Sequence, residues 1–195
     1  MSNGNWLLKV FKTTGLALIL GASLTACGEG SIKWKEEVQL SDGKIIVVER
    51  ELVLESGGDE WASNRKGVKP KERRITFTDN GGSGKLIEWH SIKNSPQRRP
   101  EIPLILDSMN GEWVVFSAVA KAGGCLMYNK YLYRNGVWVE DKLPPTFEQR
   151  ITNLYVFQNE GLSYIDLNKK RENFADIRND RLVQVGPMHP NCNGL

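Results

Sequence analysis

The sequence predicts a mainly β fold, a sandwich or small open barrel of antiparallel hairpins with one C-terminal helix. Three observations carry that expectation. Asx-Gly pairs stand between strand-like runs at Asp42-Gly43, Asn110-Gly111 and Asn135-Gly136, and both central positions of a type I′ hairpin turn need the positive φ these residues tolerate. The run WVVFSAVA, Trp113 to Ala120, is apolar on both faces, as a central strand covered on each side would be. A single late stretch, opening at Asp166, has helical spacing.

Taken in order, residues 32–40 and 44–54 read as strands around Asp42-Gly43. Counting outward from that turn sets Leu40 opposite Ile45 and Val38 opposite Val47, apolar against apolar on one face. Residues 55–71 lack periodicity and hold Gly57, Gly58, Gly67 and Pro70, so they read as loop. The loop runs into a basic cluster of Arg65, Lys66, Lys69, Lys71, Arg73 and Arg74. Such a cluster suits anionic headgroups, lipopolysaccharide or another polyanion. The plainer reading is a solvated surface balanced by Glu49, Glu51, Glu55, Asp59 and Glu60. Trp61, with Arg65 and Lys66, is the candidate partner contact, a large rigid aromatic in a polar stretch.

Residues 74–79 and 85–90 form a second hairpin around a glycine-rich loop, with Ile75, Phe77, Ile87 and Trp89 on one face. The loop is no phosphate-binding loop: that pattern needs Gly where Asp79 stands, and Ser or Thr where Leu86 follows Lys85. Residues 102–107 and 112–120 pair around Asn110-Gly111, and 127–134 and 137–140 around Asn135-Gly136. After Pro144-Pro145, residues 151–158 read as one more strand. Asp166 then caps a helix to about Ile177, with Leu167, Phe174 and Ile177 as its apolar seam.

Ahead of all this, Lys9 and Lys12 precede the short apolar run Leu16-Ala17-Leu18-Ile19-Leu20 and the small residues Gly21-Ala22-Ser23. That order is a secretory signal. The run is far short of the roughly 20 apolar residues a permanent span needs. Leu24-Thr25-Ala26-Cys27 resembles the lipobox of bacterial lipoproteins processed by the type II signal peptidase. The resemblance implies a diacylglyceryl group on the Cys27 thiol, cleavage before it, and acylation of the new amino group with palmitate-like chains. Gly28 in place of Asp implies the outer membrane. The expected organisation is a cleaved signal peptide at 1–26, a lipidated tether at 27–31 and a single β-rich domain at 32–195. The domain also resembles a group of proteobacterial lipoproteins, through Trp34-Lys35-Glu36-Glu37-Val38, Ser41-Asp42-Gly43, Cys125 with Tyr128 and Tyr131, and Tyr133 through Val139. That resemblance implies localisation and fold, and no particular activity.

The segment removed carries two lysines and no acidic residue, so 26 basic residues against 23 acidic become 24 against 23, and no strongly acidic partner is called for. With Cys27 on lipid, Cys125 and Cys192 remain, and two thiols in an oxidising envelope compartment are expected to pair. Nucleic acid is not an expected partner there. No Cys-x-x-Cys, His-Glu-x-x-His or Gly-x-Ser-x-Gly occurs in the mature chain, and His90 and His189 are its histidines. No catalytic residue, metal or cofactor is therefore expected. The expected role is a non-catalytic, membrane-anchored envelope lipoprotein that binds or supports an envelope protein or polyanion. The alternative is an envelope enzyme or enzyme inhibitor acting on a cell-wall or glycan substrate, for which Glu88 and His90 would be the first residues to test.

Overall fold

Two antiparallel sheets face one another across a shared apolar core in the computed structural model, which describes residues 30–57, 67–79, 84–121, 125–143, 149–156, 161–174, 182 and 184–185. The expected signal segment, Cys27, Trp61, Arg65, Lys66, His189 and Cys192 lie outside those residues.

The first sheet joins β1 (Gly30–Gln39), β2 (Ile45–Ser56), β3 (Val68–Thr78) and β4 (Leu86–His90). The second joins β5 (Ile102–Met109), β6 (Glu112–Ala120), β7 (Leu126–Arg134) and β8 (Val137–Asp141), each strand beside its sequence neighbour. Two-residue strands complete the set: β9 (Arg150–Ile151), β10 (Tyr164–Ile165) and, after helix α1 (Leu167–Phe174), β11 (Gln184–Val185). β10 lies parallel to β1 at the edge of the first sheet, and β11 pairs with β9. Among the described residues no strand of one of these two sheets pairs with a strand of the other, and the sheets face each other, so of the two expected architectures the sandwich is the observed one.

The core follows from strand alternation. Val38, Val48, Ile75, Phe77 and Trp89 from the first sheet meet Leu106, Trp113, Val115 and Tyr131 from the second. Burial of each such side chain stabilises the fold by about 1.5–3 kcal/mol. β6 is buried on both faces as expected, its Val114, Phe116 and Ala118 packing with Leu104, Leu132 and Val156 in a second apolar cluster. At the margin, the Trp113 indole donates to Asp79 at 3.2 Å and Trp138 donates to the Glu88 carbonyl at 2.7 Å, tying the sheets together.

The Asn-Gly hairpins form as read: Asn110, Gly111, Asn135 and Gly136 all have positive φ. The Asp42-Gly43 hairpin does not. Gln39 lies opposite Ile45 and Val38 opposite Ile46, one residue away from the expected register. Leu40 donates its N–H to Lys44 at 2.8 Å, so the loop holds three residues, Ser41 to Gly43, with Gly43 in the left-handed region at φ 84. Because strand periodicity is two, the slip turns Ile45 and Val47 outward and Ile46 and Val48 inward.

The expected loop at 55–71 is also shorter. β2 runs on to Ser56 and β3 starts at Val68, with a bulge between Val53 and Leu54. Pro70 is tolerated there because β4 pairs only with Arg74 to Thr78 and leaves the start of β3 as a sheet edge. Of the strand expected at 151–158, only Ile151 lies in a strand, β9, among the described residues, and residues 157 and 158 lie outside them. The following Thr152, Leu154, Tyr155 and Val156 are buried without joining a sheet.

Candidate functional site

The segment after β9 is held by one backbone bond, from the Leu154 N–H to the Leu104 carbonyl at 3.1 Å, and otherwise largely by side chains, which build a buried polar cluster. Glu36 on β1 and Arg50 on β2 both point inward, 0% and 1% exposed. One Glu36 oxygen accepts from the Arg50 guanidinium. The other accepts the Tyr155 N–H at 2.9 Å and lies 3.0 Å from the Lys170 ammonium. Lys170, on α1, also donates to the Glu37 and Asn153 carbonyls. Asp166 caps the helix by accepting the Lys169 N–H at 2.7 Å, as expected. Of the helix residues expected to be surface, Lys170 is buried. Leu167 is only half-buried, and Ile177 lies outside the described residues.

Burial pushes the Glu36 carboxyl up, but Lys170 and Arg50 beside it, with the hydrogen bonds from Lys170 and Tyr155, hold it below the usual carboxylate range. Burial pulls the Lys170 ammonium down against the attraction of Glu36. The cluster is thus a charged triad locking β1, β2, residues 153–155 and α1 together.

Beside it runs a groove of about 410 Å³ between the β1–β2 turn, residues 150–153 and α1. That volume is within the range of roughly 300–1,000 Å³ typical of small-ligand sites. Leu40, Ile105 and Leu167 line it with apolar surface, and Arg150, Lys170 and Arg171 bring basic side chains to it. Its walls are pinned. Asp107 accepts from Ser41 N and Oγ, both at 3.0 Å, and from Arg150 at 2.9 Å. Asn153 bridges the sheets by donating to the Gln39 and Leu106 carbonyls at 3.0 and 2.7 Å. Two of the three basic groups at the groove are therefore committed to internal carboxylates.

A second buried carboxylate, Glu101, accepts from Ile92 N, Ser117 Oγ and Tyr131 Oη at 2.7, 2.6 and 3.1 Å, and from Lys93 N and Asn129. Burial, then the Glu101 charge, pushes the Tyr131 hydroxyl far above its ordinary range. Five donors around one carboxylate make a scaffold that anchors residues 92–101 to β6 and β7.

The residues singled out in the sequence are dispersed. Glu88 and His90 are exposed on the outer face of β4. The basic cluster divides: Lys69 pairs with Glu55 at 3.3 Å, Arg74 with Glu72 at 2.7 Å and Glu51 at 3.4 Å, while Arg73 turns inward. Those parts behave as balanced surface. Cys125 is not a free thiol.

Glu36, Arg50, Asp107 and Lys170 were not foreseen. One signal was present. The expected register puts Glu36 opposite Glu49, a like-charge pair, whereas the observed register sets Lys35 opposite Glu49 and Lys33 opposite Glu51. Charge matching would have chosen the right register and brought Arg50 to the inner face. Compared with protein-family models, curated proteins and solved structures, the chain matches none.

Proposed function

We propose that this protein is a lipid-anchored envelope lipoprotein, held in the outer membrane through Cys27, whose β domain binds an envelope partner and is not an enzyme. The observation that carries the reading is Leu24-Thr25-Ala26-Cys27 directly after a charged, apolar, small-residue signal. Two or three acyl chains on one residue give stable anchoring where a single chain would not.

The fold supports a membrane-proximal contact. β1 starts at Gly30, earlier than the tether expected to run to residue 31, and Gly30 lies opposite Leu54. The lipidated end therefore shares one end of the sheet with Gly57 and Gly67, whose backbones bond at 2.9 Å and close the base of the segment that holds Trp61, Arg65 and Lys66. The three residue steps from Cys27 to Gly30, with Gly28 and Glu29 between them, span at most about 10 Å. A partner or polyanion at the lipid surface would meet this end first. A Cys125–Cys192 disulfide, joining the C-terminal tail to the start of β7, belongs to the same envelope reading.

The test is Cys27→Ser in cells fed labelled palmitate. The variant should lose the label and the lipoprotein-specific cleavage. Unchanged incorporation would refute the anchor. Peptide mapping without reductant is expected to recover Cys125 joined to Cys192, and alkylation of both thiols without reductant would refute that pairing.

A further inference from the structure

Four buried side-chain nitrogens among the described residues lack any hydrogen-bond partner, and all four are donors: Nε1 of Trp34 and Trp89, and Nε of Arg50 and Arg73. They are not scattered. Trp34 lies opposite Arg50, Arg50 opposite Ile75, and Ile75 opposite Trp89, so three occupy one transverse row of the first sheet. Arg73 stands in the next row, two residues along β3 from Ile75 and so diagonal to both Arg50 and Trp89. The Arg50 guanidinium also lies over the Trp34 ring, 5.3 Å from its centre.

Charge is unbalanced in the same place. Arg50 and Lys170 both contact one carboxylate, Glu36, while Arg73 stands near Arg50 with no carboxylate partner among the described residues. Glu37 is on the other face of β1, bonded to Tyr164 and to the N–H of Leu167. Burial, then the nearby Arg50, pulls the Arg73 guanidinium down to about 10. A partly buried cation with no carboxylate beside it is destabilising, by an amount that solvent contact reduces. Water could satisfy an N–H, but it cannot offset the charge.

We infer that this patch is an anion-binding site, in which a small oxyanion accepts from Arg73, Arg50 and Trp34. A carboxylate or phosphate group fits because its oxygens match guanidinium N–H groups. Arg73 is only partly buried, which leaves a route from solvent. This site is independent of the lipid anchor.

The test uses the full-length protein in detergent at pH 7, followed by tryptophan emission during heating in sodium phosphate, sodium acetate or sodium chloride of matched ionic strength. At anion tenfold above its Kd the midpoint should rise by about 3 °C over chloride. Phosphate strengthens folded states generally, so the deciding comparison is between variants. Arg73→Gln should abolish the extra rise, and Arg74→Gln, which removes an outward-facing, carboxylate-paired charge, should keep it. Should Arg73→Gln not fold, Trp34→Phe keeps the bulk of the aromatic ring, removes the N–H and should weaken anion affinity several-fold. A response to phosphate alone identifies a phosphorylated ligand, and one to acetate alone a carboxylate. No rise over chloride in either anion, or an equal rise in Arg73→Gln or, where that variant does not fold, undiminished affinity in Trp34→Phe, overturns the site.

Discussion

Glu36 accepts the backbone N–H of Tyr155 at 2.9 Å across 119 positions of the chain. One carboxylate thereby organises the first strand, an irregular buried segment and, through Lys170, the helix. Its removal should leave Arg50 and Lys170 facing each other without a counter-charge. Glu36→Gln is expected to cost about 3–5 kcal/mol, the range for breaking a buried pair from one side. Lys170→Met keeps Glu36 with Arg50 and should cost less. Urea denaturation of both variants checks the order, and equal losses would contradict it.

The same carboxylate sets an acid limit. The Glu36 carboxyl is lowered from 4.5 in the fold, so its stabilisation is fully present above pH 4.5 and lost as pH falls from there through the folded value. Stability should therefore drop below pH 4.5, and the drop should be shallower in Glu36→Gln. Unfolding curves from pH 7 to pH 3 measure it. Parallel pH profiles for the two proteins would sink the assignment.

Most of the architecture was legible because it rests on local chemistry. Asn110-Gly111 and Asn135-Gly136 specify their turns by φ alone, and Ile75, Phe77, Ile87 and Trp89 alternate cleanly into the core. What failed was not local. Ile45-Ile46-Val47-Val48 is apolar in both phases, so hydrophobicity could not choose a register. Lys170 looked like helix surface because its carboxylate partner is 134 positions away on β1. The buried donors and carboxylates, on which the candidate sites depend, are pairings between distant strands that no single-segment pattern encodes.

The register itself is open to a direct check. Ile46 is 7% exposed and Ile45 is 54% exposed, although they are adjacent and chemically identical. Ile46→Ala should cost about 2–5 kcal/mol as a core truncation. Ile45→Ala should stay within about 0.5 kcal/mol as a surface change. Denaturation midpoints with the two costs reversed would restore the two-residue turn at Asp42-Gly43.

The last prediction concerns the contact end of the sheet. Gly57 donates its N–H to the Gly67 carbonyl at 2.9 Å, which brings the two ends of the segment holding Trp61, Arg65 and Lys66 together. Among the described residues the core is built from β1 to β8 with Leu40, Leu154 and Val156. Replacing Trp61, Arg65 and Lys66 together should therefore shift the thermal midpoint by no more than surface substitutions do, about 0.5 kcal/mol each at most. The same variant should lose a partner crosslinked in intact cells if aromatic and basic groups beside the proposed lipid anchor form the contact. Glu88 and His90, exposed on β4, provide the opposing measurement. If the protein turns over a cell-wall or glycan substrate and replacing either residue stops it, the binding reading is wrong. Retention of the crosslinked partner by the triple variant, with no turnover, would instead move the contact away from this end of the sheet, with the groove beside α1 the next surface to alter.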